Sequence, residues 1–84
     1  MPNEQEVRAL ARNALRTARL PRGDPDRTWS GNGVGMPCAV CGEVITGDQV
    51  EYEVQFRHGA APRMDRFHLH LRCFAAWEME RTKP

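Results

Sequence analysis

Residues 37–74 read PCAVCGEVITGDQVEYEVQFRHGAAPRMDRFHLHLRCF, and the two ends of this stretch decide the fold. It opens on Cys38-x2-Cys41 and closes on His70-x2-Cys73, with 28 residues between the pairs. A C-x2-C turn reverses the chain between its cysteines and so presents both sulfurs to the same side of an ion. Zinc takes four such soft or borderline donors in a tetrahedron. Gly42 follows the second cysteine, where the backbone needs a positive φ or a close approach to sulfur, and glycine permits both. The second pair falls at a strand end and in the first turn of a helix, whose free N–H groups and dipole favour a thiolate at Cys73. The expected cofactor is one Zn(II), held by Cys38, Cys41, His70 and Cys73. His68 is an alternative metal ligand, because an x4 spacing to Cys73 is also usable. His70 is preferred because x2 puts it at the strand end beside the helix turn.

The residues between the pairs supply the scaffold. Gln49–Phe56 alternates, with Val50, Tyr52, Val54 and Phe56 on one face and Glu51, Glu53 and Gln55 on the other, which predicts a half-buried antiparallel strand. Glu43–Thr46 reads as a short strand, followed by a Thr46-Gly47-Asp48 turn. Residues 58–65 contain Gly59 and Pro62 and read as a hairpin loop, with His58 a polar loop residue. Arg66–Leu71 alternates again, its apolar face being Phe67, Leu69 and Leu71. Cys73 to about Arg81 reads as a helix that buries Phe74, Ala76, Trp77 and Met79. Glu51 and Glu53 are placed to meet Arg66 or Arg72 across strands, a common and modest interaction.

Upstream, Asn3 to about Leu20 reads as a helix. Asn3 and Glu6 have the spacing of a capping box. Val7, Leu10, Ala11, Ala14 and Ala18 form one apolar stripe. Pro21 and Gly23 stop the helix. Pro21–Pro37 is dominated by turn-forming residues and reads as a connector, with Trp29 expected to anchor it against the domain. The fold class is therefore α+β: a small zinc-stapled antiparallel β-hairpin closed by a C-terminal helix, plus an N-terminal amphipathic helix. The expected division is residues 1–21 helix, 22–36 Gly/Pro-rich connector and 37–84 zinc finger.

Bulk properties agree with a small metal-stapled domain. A chain of 84 residues buries a modest core, and such domains often lean on a metal, disulfides or a partner. Three cysteines cannot all pair within one molecule, which favours metal binding over a disulfide framework. No apolar run is long enough to span a membrane, and the first twenty residues carry Arg throughout with no leader-like core, so a cytoplasmic location with reduced thiols is expected. The net charge of +1 hides an acidic centre, since residues 30–56 carry Glu43, Asp48, Glu51 and Glu53 and no Lys or Arg.

Residues 37–81 resemble treble-clef zinc fingers, and His70-Leu-Arg-Cys73-Phe74 is similar to the H-x2-C-F step of LIM-type fingers. That resemblance implies one structural zinc on the knuckle cysteines and the H-x2-C pair. No cysteine follows Cys73 to begin a second ligand set, and the spacer is longer than LIM fingers use, so the resemblance is to a single treble clef. The chain as a whole also resembles small uncharacterised bacterial proteins with a C-x2-CG…EYE…H-x2-CF-x2-W pattern, which implies zinc binding.

Three cysteines and one histidine fill the tetrahedron, leaving no position for a catalytic water, and no enzymatic role is expected. The P-C-x-x-C half of a zinc deaminase signature is present, but no H-x-E lies upstream of it. A haem-attachment C-x-x-C-H is excluded because Gly42 stands in the His position. Gly31, Gly33 and Gly35 lack the Lys-Ser or Lys-Thr and the helix of a phosphate loop. The remaining signal is a stripe of Arg8, Arg12, Arg16 and Arg19, about 16 Å long on a helix. It reads as a partner-binding or phosphate-binding surface, or as a solvated face. The functional expectation is a regulatory adaptor with a protein partner. The alternative is a nucleic-acid-binding regulator that uses the arginine stripe.

Overall fold

The computed structural model describes residues 3–57 and 64–83, in the order α1 (Glu4–Arg16), β1 (Arg27–Asn32), β2 (Val50–Arg57), β3 (Met64–His70) and α2 (Leu71–Arg81). The protein is a small α+β fold with an N-terminal helix, a three-stranded antiparallel sheet in the order β1-β2-β3, and a C-terminal helix. His58 and most of the expected hairpin loop, residues 58–63, lie outside the described residues, whereas Met64 and Asp65 belong to β3.

Helix α1 begins as its sequence dictates. The Asn3 side chain accepts from the Glu6 amide at 2.8 Å, and the Glu6 carboxylate accepts from the Asn3 amide at 3.3 Å. The helix ends at Arg16 rather than near Leu20. Thr17 caps it, and Ala18 takes a left-handed conformation with φ 59°. This reversal sends Leu20 inward, where it is 1 % exposed and its amide donates to the Ala14 carbonyl at 3.1 Å. The buried stripe is Val7, Ala11, Ala14 and Leu15, with Leu10 partly buried, whereas Ala18 faces solvent.

The expected connector contains β1, which pairs along its whole length with β2 from Arg27↔Gln55 to Asn32↔Val50. Every β1 residue is exposed, so no buried periodicity marks the strand and backbone pairing alone defines it. Trp29 does not anchor this segment. It is 54 % exposed and carries the Arg27 guanidinium 6.0 Å from its ring centroid. The expected strand at Glu43–Thr46 reduces to one antiparallel bridge, Pro37↔Val44. Gly33 explains how residues 33–37 lie so close to this segment. A Cβ there would stand 2.2 Å from the Thr46 carbonyl oxygen and 2.6 Å from that of Ile45.

Helix α2 packs on both α1 and the sheet. Trp77, fully buried, meets Phe56 edge-on at 6.2 Å and Phe74 at 6.0 Å, and Phe74 stacks on Tyr52 at 4.3 Å. The Trp77 indole N–H donates to the Pro21 carbonyl at 3.0 Å, and Arg81 covers the ring at 4.8 Å while pairing with Asp24 at 2.8 Å. Met79, expected in the core, is 52 % exposed.

The two helices are also joined by charge. Glu80, 4 % exposed, accepts from Arg8 at 2.8 Å, Arg12 at 3.3 Å and Lys83 at 3.2 Å. Burial would raise its pKa, but hydrogen bonding to Arg8, reinforced by Lys83 and Arg12, outweighs this and holds the carboxyl below its ordinary range. The stabilisation is present at neutral pH and is lost as pH falls below the unfolded carboxylate range toward the folded value.

Ala18 gives a test of the local account. A left-handed conformation costs an L-residue with a Cβ more than it costs glycine. Ala18→Gly is expected to raise stability by about 0.5–1 kcal/mol, after the entropy that glycine adds to the unfolded chain. An unchanged or lower denaturant midpoint would contradict the role assigned to this residue.

Candidate metal centre

Four donors converge where the C-x2-C turn meets the junction of β3 and α2. Ligand atoms from Cys38, Cys41, His70 and Cys73 all lie within 4.8 Å of one another. Cys38 and Cys73 are 3 % exposed and His70 is 4 % exposed, with Cys41 at the rim.

Local backbone structure places each donor. The Gly42 amide donates to the Cys38 carbonyl and the Cys38 amide to the Glu43 carbonyl, both at 2.9 Å, which closes the knuckle. Gly42 itself has φ 81°, a conformation in which a residue with a Cβ would be strained. The Ala39 amide donates to the His68 carbonyl at 2.8 Å and so hangs the knuckle on β3, two residues before His70. His70 caps α2 in an extended conformation, and Cys73 falls in the first turn of that helix.

The orientation of His70 follows from its neighbours. Gln49 Oε1 accepts from the Thr46 amide at 2.9 Å and lies 3.2 Å from His70 Nε2. An amide oxygen only accepts, so Nε2 carries the proton and Nδ1 keeps its lone pair. Nδ1 is the atom that faces the cluster, 3.4 Å from Cys41 Sγ. With ordinary Zn–N and Zn–S bond lengths, a nitrogen–sulfur edge of a tetrahedron is about 3.6 Å. The observed separation is close to it.

The thiols also interact electrostatically. Hydrogen bonding from Cys73 lowers the Cys38 pKa to about 4, overcoming its burial, with backbone amides including that of Val40, 3.4 Å from the sulfur, adding to the effect. The same contact with Cys38, together with burial and the neighbouring sulfur charges, pushes the Cys73 thiol far above its usual value. Burial pushes Cys41 upward as well. Without a cation, one thiolate forms at the expense of the others. A divalent ion removes that competition, and three sulfurs with one imidazole suit zinc far better than a hard oxygen-seeking cation.

The remaining site residues fall into two groups. His68 lies outside the cysteine cluster; its Nδ1 is 2.9 Å from Glu51 Oε2. All four arginines of the stripe make contacts within the fold. Arg8 and Arg12 hold Glu80, Arg16 reaches the Asn13 side chain at 2.5 Å and Arg19 donates to the Ala39 carbonyl at 3.0 Å. Gln49 carried no chemical signal in the sequence. Its role depends on the turn that brings it beneath His70. Comparison of the chain with protein-family models, curated proteins and solved structures finds no match.

Gln49 is a positioning residue for His70. Loss of partners that orient a metal-ligating histidine typically costs about 10–100-fold in metal affinity. Gln49→Ala is expected to weaken zinc binding by that order in a competitive chelator titration. Unchanged affinity would contradict the positioning role.

Proposed function

We propose that the protein is a protein-interaction adaptor built around one structural zinc ion, with Cys38, Cys41, His70 and Cys73 as its ligands in a single treble-clef-like arrangement. The observation that carries this reading is the convergence of three thiols and His70 Nδ1 within 4.8 Å. A knuckle, an antiparallel hairpin and a following helix that contributes a ligand from its first turn are the parts such an arrangement requires. Four protein donors leave no position for a metal-bound water, which favours a structural over a catalytic ion. No described helix is long and apolar enough to cross a membrane.

The adaptor reading rests on surface apolar groups near the knuckle. Val34, Met36 and Val44 are 69 %, 44 % and 54 % exposed. They lie on two adjacent segments, joined by hydrogen bonds from Gly35 to Ile45 and from Ile45 to Met36, each at about 3 Å. Val50 and Leu71, 47 % and 48 % exposed, flank His70 in a second apolar depression. Grouped apolar side chains at a surface are a common mark of protein contact. The alternative, nucleic-acid binding, is favoured by a shallow groove lined by Arg12, Arg16, Arg22 and Lys83, with Glu80 as its only acid.

Native mass spectrometry of protein purified without added metal is expected to give a mass gain of one zinc less its displaced protons, lost on acidification. A folded, metal-free monomer would overturn the reading. Because metal binding supplies folding free energy to a site that does not exist in the unfolded chain, Cys41→Ala is expected to lose the fold of residues 37–81. Intact secondary structure in that variant would contradict a structural role.

The adaptor and its alternative separate in one comparison. Val34→Asp with Val44→Asp is expected to retain zinc and fold while losing the cellular protein partner that co-purifies with the wild type. Retention of that partner, combined with salt-sensitive DNA or RNA binding by the wild type, would favour the alternative.

A further inference from the structure

Strands β2 and β3 bring a second group of donors together, separate from the cysteines. Register sets Glu53 opposite His68 and Glu51 opposite His70, so these side chains share one sheet face. Tyr52, Val54 and Phe56 alternate with them on the other face, toward α2. Ligand atoms of Glu51, Glu53 and His68 lie within 4.8 Å of one another. His68 Nδ1 is 2.9 Å from Glu51 Oε2 and 4.0 Å from Glu53 Oε1.

Glu51 distinguishes this group from an ordinary cross-strand ion pair. The residue is only 6 % exposed, and its second oxygen, Oε1, is buried without a hydrogen-bond partner. A buried carboxylate oxygen left unpaired is costly, and such an atom calls for an unseen partner. Glu53 adds a second carboxylate beside it. Arg66 Nε is 3.9 Å from the Glu53 carboxylate, and its side chain is 63 % exposed. Gln55 donates to Glu53 at 2.6 Å but brings no charge.

We propose that Glu51, Glu53 and His68 form a second divalent-metal site of mixed nitrogen and oxygen donors. One imidazole and two carboxylates suit a first-row divalent cation such as zinc, manganese or ferrous iron, with water completing the shell. The side chains of His68 and Glu53, 17 % and 24 % exposed, give water that access, while Glu51 forms the closed wall. Across from Glu51 in the register stands Gly31, and no atom beyond its chain neighbours lies within 4 Å of the position a Cβ would take there. The ion would sit between His68 Nδ1 and the Glu51 carboxylate, with the neutral imidazole carrying its one proton on Nε2, and would give Glu51 Oε1 a partner. The site is weaker than the cysteine cluster, because it has fewer protein donors and no thiolate, so it fills second.

The test uses the full chain carrying one equivalent of zinc, labelled so that the imidazole nitrogens are seen by NMR. His70 reports the cysteine cluster and His68 reports the second site, so the failure of either is seen separately. Further zinc is expected to shift His68 Nδ1 with saturation while His70 stays fixed. Glu53→Gln, at the rim, and Glu51→Gln are each expected to weaken that second response by at least about tenfold. A His68 resonance that does not move with excess zinc would overturn the proposal. So would a response that persists unchanged in both variants.

Discussion

The constraint on which the fold turns is the convergence of three sulfurs and one imidazole within 4.8 Å of one another, an arrangement that could hold a metal ion. The knuckle and α2 are far apart in sequence, and each donor is held by a separate local device. Gly42 allows the knuckle to close, the Ala39–His68 hydrogen bond registers it against β3, and Gln49 fixes the tautomer and tilt of His70. Cys73 follows because α2 starts one residue after His70. The competition among the buried thiols has a physical meaning in this setting. The arrangement is poorly satisfied by protons, and a dication bound there would couple its binding to the ordering of the surrounding backbone.

The apolar core complements this staple. Trp77 joins α2 to the sheet through Phe56 and to the segment after α1 through the Pro21 carbonyl. Glu80 then ties α1 to α2 through Arg8 and Arg12, so α1 is part of the same packed unit as the metal centre. A buried carboxylate between two helices is favourable only while its cations remain in place, so removing Arg8 or Arg12 alone would leave a buried charge poorly compensated.

Legibility in the sequence followed the strength of the local signal. Cys38, Cys41, His70 and Cys73 stood out because metal chemistry constrains residue type and spacing together. The pattern of β2 was readable from Tyr52, Val54 and Phe56, and the start of α1 from Asn3 and Glu6. Strand β1 was not, because Arg27–Asn32 has no buried alternation, contains Gly31, and is ordered by hydrogen bonds to β2 that local sequence does not encode. Trp29 misled for the same reason, since a large aromatic residue in a polar stretch invites burial and here lies on an open sheet face. The end of α1 depended on tertiary demand for Leu20 in the core, which overrode the helix propensity of residues 17–19. The arginine stripe was visible as a pattern, but its contacts with Glu80 and Ala39 required the fold. Glu51 read as a solvent-facing strand residue, and only the structure buries it beside His68.

X-ray absorption at the zinc edge, on the 84-residue chain carrying one equivalent of zinc, reads the ligand set directly. The account predicts three sulfurs at about 2.3 Å and one nitrogen at about 2.0–2.1 Å. A first shell dominated by nitrogen and oxygen, or one with fewer than three sulfurs, would contradict it.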